Sequence, residues 1–246
     1  MKFPSCCKTI LLTIFGFIIG LCSYAQKTEI KLNAYSGLFF YRGNGSSSAT
    51  TIYGNANFAY LDFTPFGRKS TFPYAFEIQI QKVTRKRRLY GLGIGWEELK
   101  SLTRIDSIAV GDLVIPTAVP IKGKINIASA FLTFNPYIGQ RFVTGKWAVD
   151  LLAGIDLSVC TRLQETAYLS SAGSKYYRYY QGYRNKYFGD LRPRIEINSV
   201  YRQFGITVGY SLGLLNLYRM DGYYYQPTNF KAYSNFLRLG ISYKLK

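Results

Sequence analysis

Two pairs of carboxylates, Glu77 with Glu97 and Asp150 with Asp156, are the residues of this sequence whose types could do chemistry. A carboxylic acid and a carboxylate held in unlike surroundings can act as general acid and general base. They would act without imidazole, because the chain has no histidine; Ser-His and Asp-His mechanisms and histidine metal sites are closed. The run Gly91-Leu92-Gly93-Ile94-Gly95 puts its glycines at strand spacing and opens no helix, so it is not a phosphate cradle. Lys31, Arg192, Arg194, Arg202 and Arg238, with Glu196 among them, offer the carboxylates a second role as members of ion pairs. The elements that carry these residues decide between the two roles.

Apolar residues alternate with small or polar ones along eight segments, the period of a strand with two unlike faces. Segment 29–41 sets Ile30, Leu32, Ala34, Leu38 and Phe40 against Glu29, Lys31, Asn33 and Tyr35. Segments 74–83 and 89–99 are the clearest, with Glu77, Gln79, Gln81 and Glu97 opposite Phe76, Ile78, Ile80, Ile94 and Trp96. Segment 124–136 is ambiguous, since Leu132 and Phe134 compete with Ile125, Ile127 and Phe131 for the apolar face. Segment 147–160 places Asp150 and Asp156 on its polar face, and 191–202 places Arg192, Arg194, Glu196 and Arg202 there. Segments 204–217 and 235–245 do the same for Gly205, Gly209, Gly213 and Arg238. Beyond the N-terminal region no apolar run reaches the ~18 residues of a membrane helix.

The links between segments alternate short and long. Short ones lie at 84–88, 137–146 and around Gln203; long ones at 42–73, 100–123, 161–190 and 218–234. That phase fits a barrel in a bacterial outer membrane, with tight periplasmic turns, long outer loops and both termini periplasmic. The expected fold is all-β, an eight-stranded antiparallel up-and-down transmembrane β-barrel. Eight strands enclose only enough room for side chains, and charges placed there must be paired. The acid–base reading therefore ranks below a lumen ion-pair network of Lys31, Glu77, Glu97, Asp150, Asp156, Arg192, Arg194, Glu196, Arg202 and Arg238, which plugs the barrel. Glycines on the third and seventh segments are expected to make room for long Arg or Gln side chains.

Lys2 and Lys8, the apolar run Ile10 to Leu21, and the small Ser23 and Ala25 follow the order of a secretory signal cleaved after Ala25. Residues 1–25 are then signal and 26–246 the barrel domain. An uncleaved anchor would need a longer run, and lipid attachment at Cys22 would prefer a residue smaller than Leu21 before it. Three of the four cysteines leave with the signal, so only Cys160 remains and neither an internal disulfide nor a cysteine-rich metal site can form. No cofactor is expected. The formal charge of +18 attracts polyanions, and for an exported chain these are lipopolysaccharide and anionic lipid, not nucleic acid.

The hairpin Phe76-Glu77-Ile78-Gln79-Ile80 with Tyr90-Gly91-Leu92-Gly93-Ile94-Gly95, the run from Gly205 to Asn216, and the ending Leu239-Gly240-Ile241-Ser242-Tyr243-Lys244-Leu245 carry a resemblance. The chain resembles the small PorT-like outer-membrane β-barrel proteins of Bacteroidota. The ending also resembles the signal read by the barrel-assembly machinery, through Arg238, Gly240, Tyr243 and Leu245; it departs in Leu245, where an aromatic is commoner, and in the trailing Lys246. In the third long link, Tyr176, Tyr177, Arg178, Tyr179, Tyr180, Tyr183 and Arg184 mix rigid amphipathic rings with charge. They read as a rim at headgroup level or as a surface loop that binds an anionic glycan or a protein. The leading expectation is a non-enzymatic outer-membrane barrel with a structural or surface-interaction role. The resemblance implies an alternative, an accessory component of a type IX-like protein-export complex. A barrel enzyme using paired carboxylates comes third.

Overall fold

A computed structural model describes residues 27–54, 59–60, 65–110, 117–170, 177–183, 189–217 and 230–245. Eight strands form the body: β1 (Lys27–Arg42), β2 (Tyr74–Val83), β3 (Arg88–Val110), β4 (Thr117–Thr144), β5 (Trp147–Ser170), β6 (Gly189–Tyr201), β7 (Phe204–Leu212) and β8 (Tyr233–Lys244). Each pairs antiparallel with the next in the chain. β8 also pairs with β1, from Lys31↔Lys244 to Arg42↔Tyr233, which closes the ring. The fold is an eight-stranded up-and-down transmembrane β-barrel, and closure leaves the body no free sheet edge.

Tight turns at 84–87, 145–146 and 202–203 lie at one end, together with Lys27 and Leu245; the longer links leave from the other end. Each of these turns uses a residue in the left-handed region, Arg87 (φ 60°), Gly145 (φ 60°) and Arg202 (φ 56°), the backbone twist that tight hairpins favour. The expected link at 137–146 is thus mostly strand: β4 continues to Thr144, and its inward face adds Tyr137, Gly139 and Arg141. The seventh segment is shorter than expected, since β7 ends at Leu212.

At the loop end the expected long links are also largely strand. β3 and β4 extend to Val110 and from Thr117, β5 runs to Ser170, and Tyr177–Tyr183 pairs on its edge. Ala49–Gly54 pairs parallel with the outer part of β3. A sheet therefore stands beyond the barrel body, and the reason it was hidden is that its faces have the opposite polarity.

That inversion runs strand by strand. On β3, Ile94 and Trp96 point out while Glu97 points in; farther along, Lys100 and Arg104 point out while Leu99 and Ile105 are buried. On β4, Leu132 and Phe134 point out over Thr133 and Asn135, whereas beyond them Lys122 and Lys124 point out over Ile125 and Ile127. This settles the ambiguous fourth segment: its two apolar sets face opposite ways because they lie at different heights. On β5, Leu157 and Val159 over Asp156 and Ser158 give way to Arg162 over Leu163 and Ala167, with a bulge between Cys160 and Arg162 that resets the alternation. Apolar out and polar in suits hydrocarbon outside; polar out and apolar in suits water outside.

Candidate functional site

The lumen of the lower barrel holds charged side chains in three groups, the upper two joined through Asp156. Nearest the turn end, Arg141 bonds Asp150 through Nε (2.6 Å) and Nη2 (2.9 Å) and Glu29 through Nη1 (3.0 Å) and Nη2 (2.8 Å). Lys31 Nζ donates to the same Asp150 at 2.9 Å, and Gln81 Nε2 to Glu29 at 2.8 Å. Tyr137 donates its hydroxyl to Gln81 at 3.2 Å.

In the middle, Arg194 Nη1 donates to Glu77 at 2.7 Å and Nη2 to the Tyr35 hydroxyl at 3.0 Å, and Arg194 also bonds Glu196. Its Nη1 lies 3.5 Å from Asp156, which accepts a further bond from Asn135 at 2.9 Å. Toward the loop end Arg238 Nη2 bridges Glu97 and Asp156, each at 2.7 Å, while Nη1 donates to Ser211 at 2.7 Å. Arg192 bonds the other oxygen of Glu97 and donates to Ser158 at 2.8 Å. Asp190 lies 3.9 Å from Arg192 and accepts from Ser234.

Nine of the ten residues expected in the network are brought together in the lumen. The tenth is not: β6 ends at Tyr201, so Arg202 falls in the turn, exposed, with its guanidinium 5.5 Å from the Tyr201 ring. Sequence reasoning missed Arg141, Asp190 and the part played by Glu29. Arg141 was hidden by ending the fourth segment at Pro136, although Tyr137, Gly139 and Arg141 continue its period. The glycines also hold different guests from those expected. A Cβ on Gly91 would lie 2.3 Å from the Tyr137 ring, and one on Gly93 2.5 Å from a Glu77 carboxylate oxygen.

Above the charged groups the inward-facing residues change character. Phe39, Tyr41, Leu99, Ile125, Ile127, Phe131, Leu163 and Phe236 form an apolar layer, joined by Phe66 from the first long link. The Tyr41 ring centroid lies 4.9 Å from that of Phe39 and 4.6 Å from that of Phe66. The inward-facing residues are thus ion-paired below and apolar above. The expectation of a purely ion-paired core is corrected to that extent.

This arrangement answers what the paired carboxylates can do. Glu77, Glu97, Asp150 and Asp156 are each bonded to at least one arginine and at most 7 % exposed. A charge-assisted partner on a carboxylate oxygen occupies the lone pair that would take a substrate's proton. Among the described residues no group of three or more His, Cys, Asp or Glu could hold a metal ion.

The network carries a formal charge of its own. Seven lumen carboxylates (Glu29, Glu77, Glu97, Asp150, Asp156, Asp190, Glu196) face five lumen cations (Lys31, Arg141, Arg192, Arg194, Arg238), a formal −2. Of the expected surface loop, Tyr176 and Arg184 lie outside the described residues. Tyr177, Arg178, Tyr179, Tyr180 and Tyr183 fall in the strand Tyr177–Tyr183, whose backbone pairs with Gln164 to Leu169 of β5. Of the expected assembly residues, Gly240 and Tyr243 lie on the closing strand and Leu245 just past its end; Tyr243 and Leu245 are exposed, and Gly240 backs onto the Tyr35 ring.

No protein-family profile and no curated protein matches the chain. Solved structures to which it is similar include Ail, the attachment invasion locus protein of Yersinia pestis, in complex with the heparin analogue sucrose octasulfate. That match has 10% identity and a TM-score of 0.36, covering 89% of this chain and 100% of that one. Another is Neisserial surface protein A, at 10% identity and a TM-score of 0.38, with the same coverage.

Proposed function

We propose that the chain is a non-enzymatic outer-membrane barrel with a surface-interaction role, exported by its N-terminal signal and inserted with the turn end in the periplasm. The inversion of polarity along β3, β4 and β5 carries this reading, because one molecule needs both arrangements only if its lower part meets hydrocarbon and its upper part water. A lumen lined by ion pairs below and apolar side chains above supports a role at the surface in place of conduction. Lys100, Arg104, Lys122, Lys124 and Arg162 lie on the outward face of the sheet just beyond the apolar band, where lipopolysaccharide phosphates would meet them. Arg104 and Lys124 sit directly opposite each other across β3 and β4. Like charges so placed repel, and a bound anion relieves that.

The reading is tested by fractionation and a heat-modifiability gel on the expressed chain, followed by lipopolysaccharide binding. The protein is expected in the outer membrane, to change its migration on boiling, and to bind lipopolysaccharide less well as the Arg104→Gln/Lys124→Gln variant. Recovery in the soluble fraction without detergent would overturn it.

A further inference from the structure

The turn end carries a surface that the lumen network does not use. Arg85, Lys86 and Arg87 are exposed in the β2–β3 turn with Arg88 at the start of β3, Lys146 in the β4–β5 turn and Arg202 in the β6–β7 turn. The carboxylates of that end, Glu29 and Asp150, are buried and held by Arg141. Nothing acidic among the described residues there faces the surroundings, so the rim is a ring of uncompensated positive charge.

Just inside this ring lies a row of outward aromatics on four adjacent strands, in direct register: Trp147↔Tyr201, Tyr201↔Phe204 and Phe204↔Tyr243. Ring centroids are 4.9 Å apart for Trp147 and Tyr201, and 5.2 Å for Phe204 and Tyr243. The next row toward the middle contains two short side chains, Ser199 opposite Ile206 and Ala34 opposite Ile241. Their shortness leaves an apolar groove of about 540 Å³ on the outward surface, lined by the aromatics, Ile206 and Ile241. That volume lies in the ~300–1,000 Å³ range of ligand pockets.

From the rim to the middle, the order is cation, aromatic, apolar groove. A phospholipid presents the same order in phosphate, glycerol ester and acyl chain. We infer that this groove with Lys146 and Arg202 at its mouth is a binding site for an anionic phospholipid of the periplasmic leaflet. The placement in that leaflet rests on the proposed outer-membrane orientation; the binding itself does not. Arg202 is held in position by its left-handed turn and by the face of Tyr201, which points it along the rim instead of into the lumen.

The experiment is native mass spectrometry of the full chain from micelles containing equimolar phosphatidylglycerol and phosphatidylcholine with identical chains. Retained phosphatidylglycerol should exceed phosphatidylcholine about 25-fold, the scale expected for two basic residues at a headgroup. Lys146→Gln/Arg202→Gln should erase that preference, and Ser199→Phe, which fills the groove, should lower retention of both lipids. Lys231→Gln, exposed at the other end, should leave the preference intact. All these positions are on turns or the outer surface, and a gel shift on boiling verifies each fold. Equal retention of the two lipids, a preference that survives the turn-end double variant, or displacement of phosphatidylglycerol by lipopolysaccharide from these residues would overturn the proposal. Because the assay runs in micelles, its failure is separable from a failure of the localisation, which fractionation reads.

Discussion

Arg141 holds both carboxylate oxygens of Asp150, at 2.6 and 2.9 Å, from the neighbouring strand and across a two-residue turn. The same guanidinium also takes both oxygens of Glu29, so one cation compensates two buried carboxylates. Replacing Arg141 with Met leaves both without their principal partner, and a broken buried pair costs about 3–5 kcal/mol. Urea unfolding in detergent should register that loss. Arg202→Met, in an exposed turn, should stay within about 0.5 kcal/mol of the parent.

The paired carboxylates give a second outcome. Glu77→Gln and Glu97→Gln each weaken bonds to lumen arginines, Arg194 in one case and Arg192 with Arg238 in the other. Both substitutions should lower the unfolding midpoint. An Arg238→Met/Glu97→Gln cycle should yield a coupling of about 0.5–3 kcal/mol. Loss of a measurable hydrolytic activity with the midpoint unchanged would favour the acid–base role.

Depth should govern the outer face. Ile195 lies 64 % exposed within the apolar band, and Lys in its place should cost about 2–4 kcal/mol in bilayers. The reverse change beyond the line of inversion, Lys124→Leu, should alter stability by no more than about 0.5 kcal/mol. Folding titrations in liposomes compare the two directly.

Gly91 gives a packing test. The Tyr137 ring fills the space where a side chain would start, so Gly91→Val should destabilise by about 1–3 kcal/mol or more. Adding Tyr137→Ser should restore part of the loss. Equal damage in the single and double variants would mean that the ring is not what the glycine accommodates.

Much of this was legible from residues 29–41, 74–99, 191–201, 204–212 and 235–245, because hydrocarbon outside and polar lumen inside impose one alternation on every strand. Residues such as Glu77, Arg194 and Arg238 could be placed in the lumen by parity alone. Parity fails where the solvent changes. Ile125, Ile127 and Leu163 are as apolar as the lipid-facing set, and only their height puts them inside. Arg202 shows the other limit: it continues the parity of Arg192 and Arg194, but the strand has already turned. Arg141 needed the actual end of β4 before its reach to Glu29 could be seen.

The chain's two tryptophans provide the most direct test of where the apolar band meets lipid. Trp147 lies at the turn end of the band, and Trp96, with its ring 5.6 Å from that of Tyr74, toward the loop end. In single-tryptophan forms, Trp96→Phe and Trp147→Phe, reconstituted into bilayers with brominated acyl chains, the remaining indole should be quenched by the lipid in both. Indoles insensitive to lipid bromine but freely quenched by aqueous acrylamide would contradict the account.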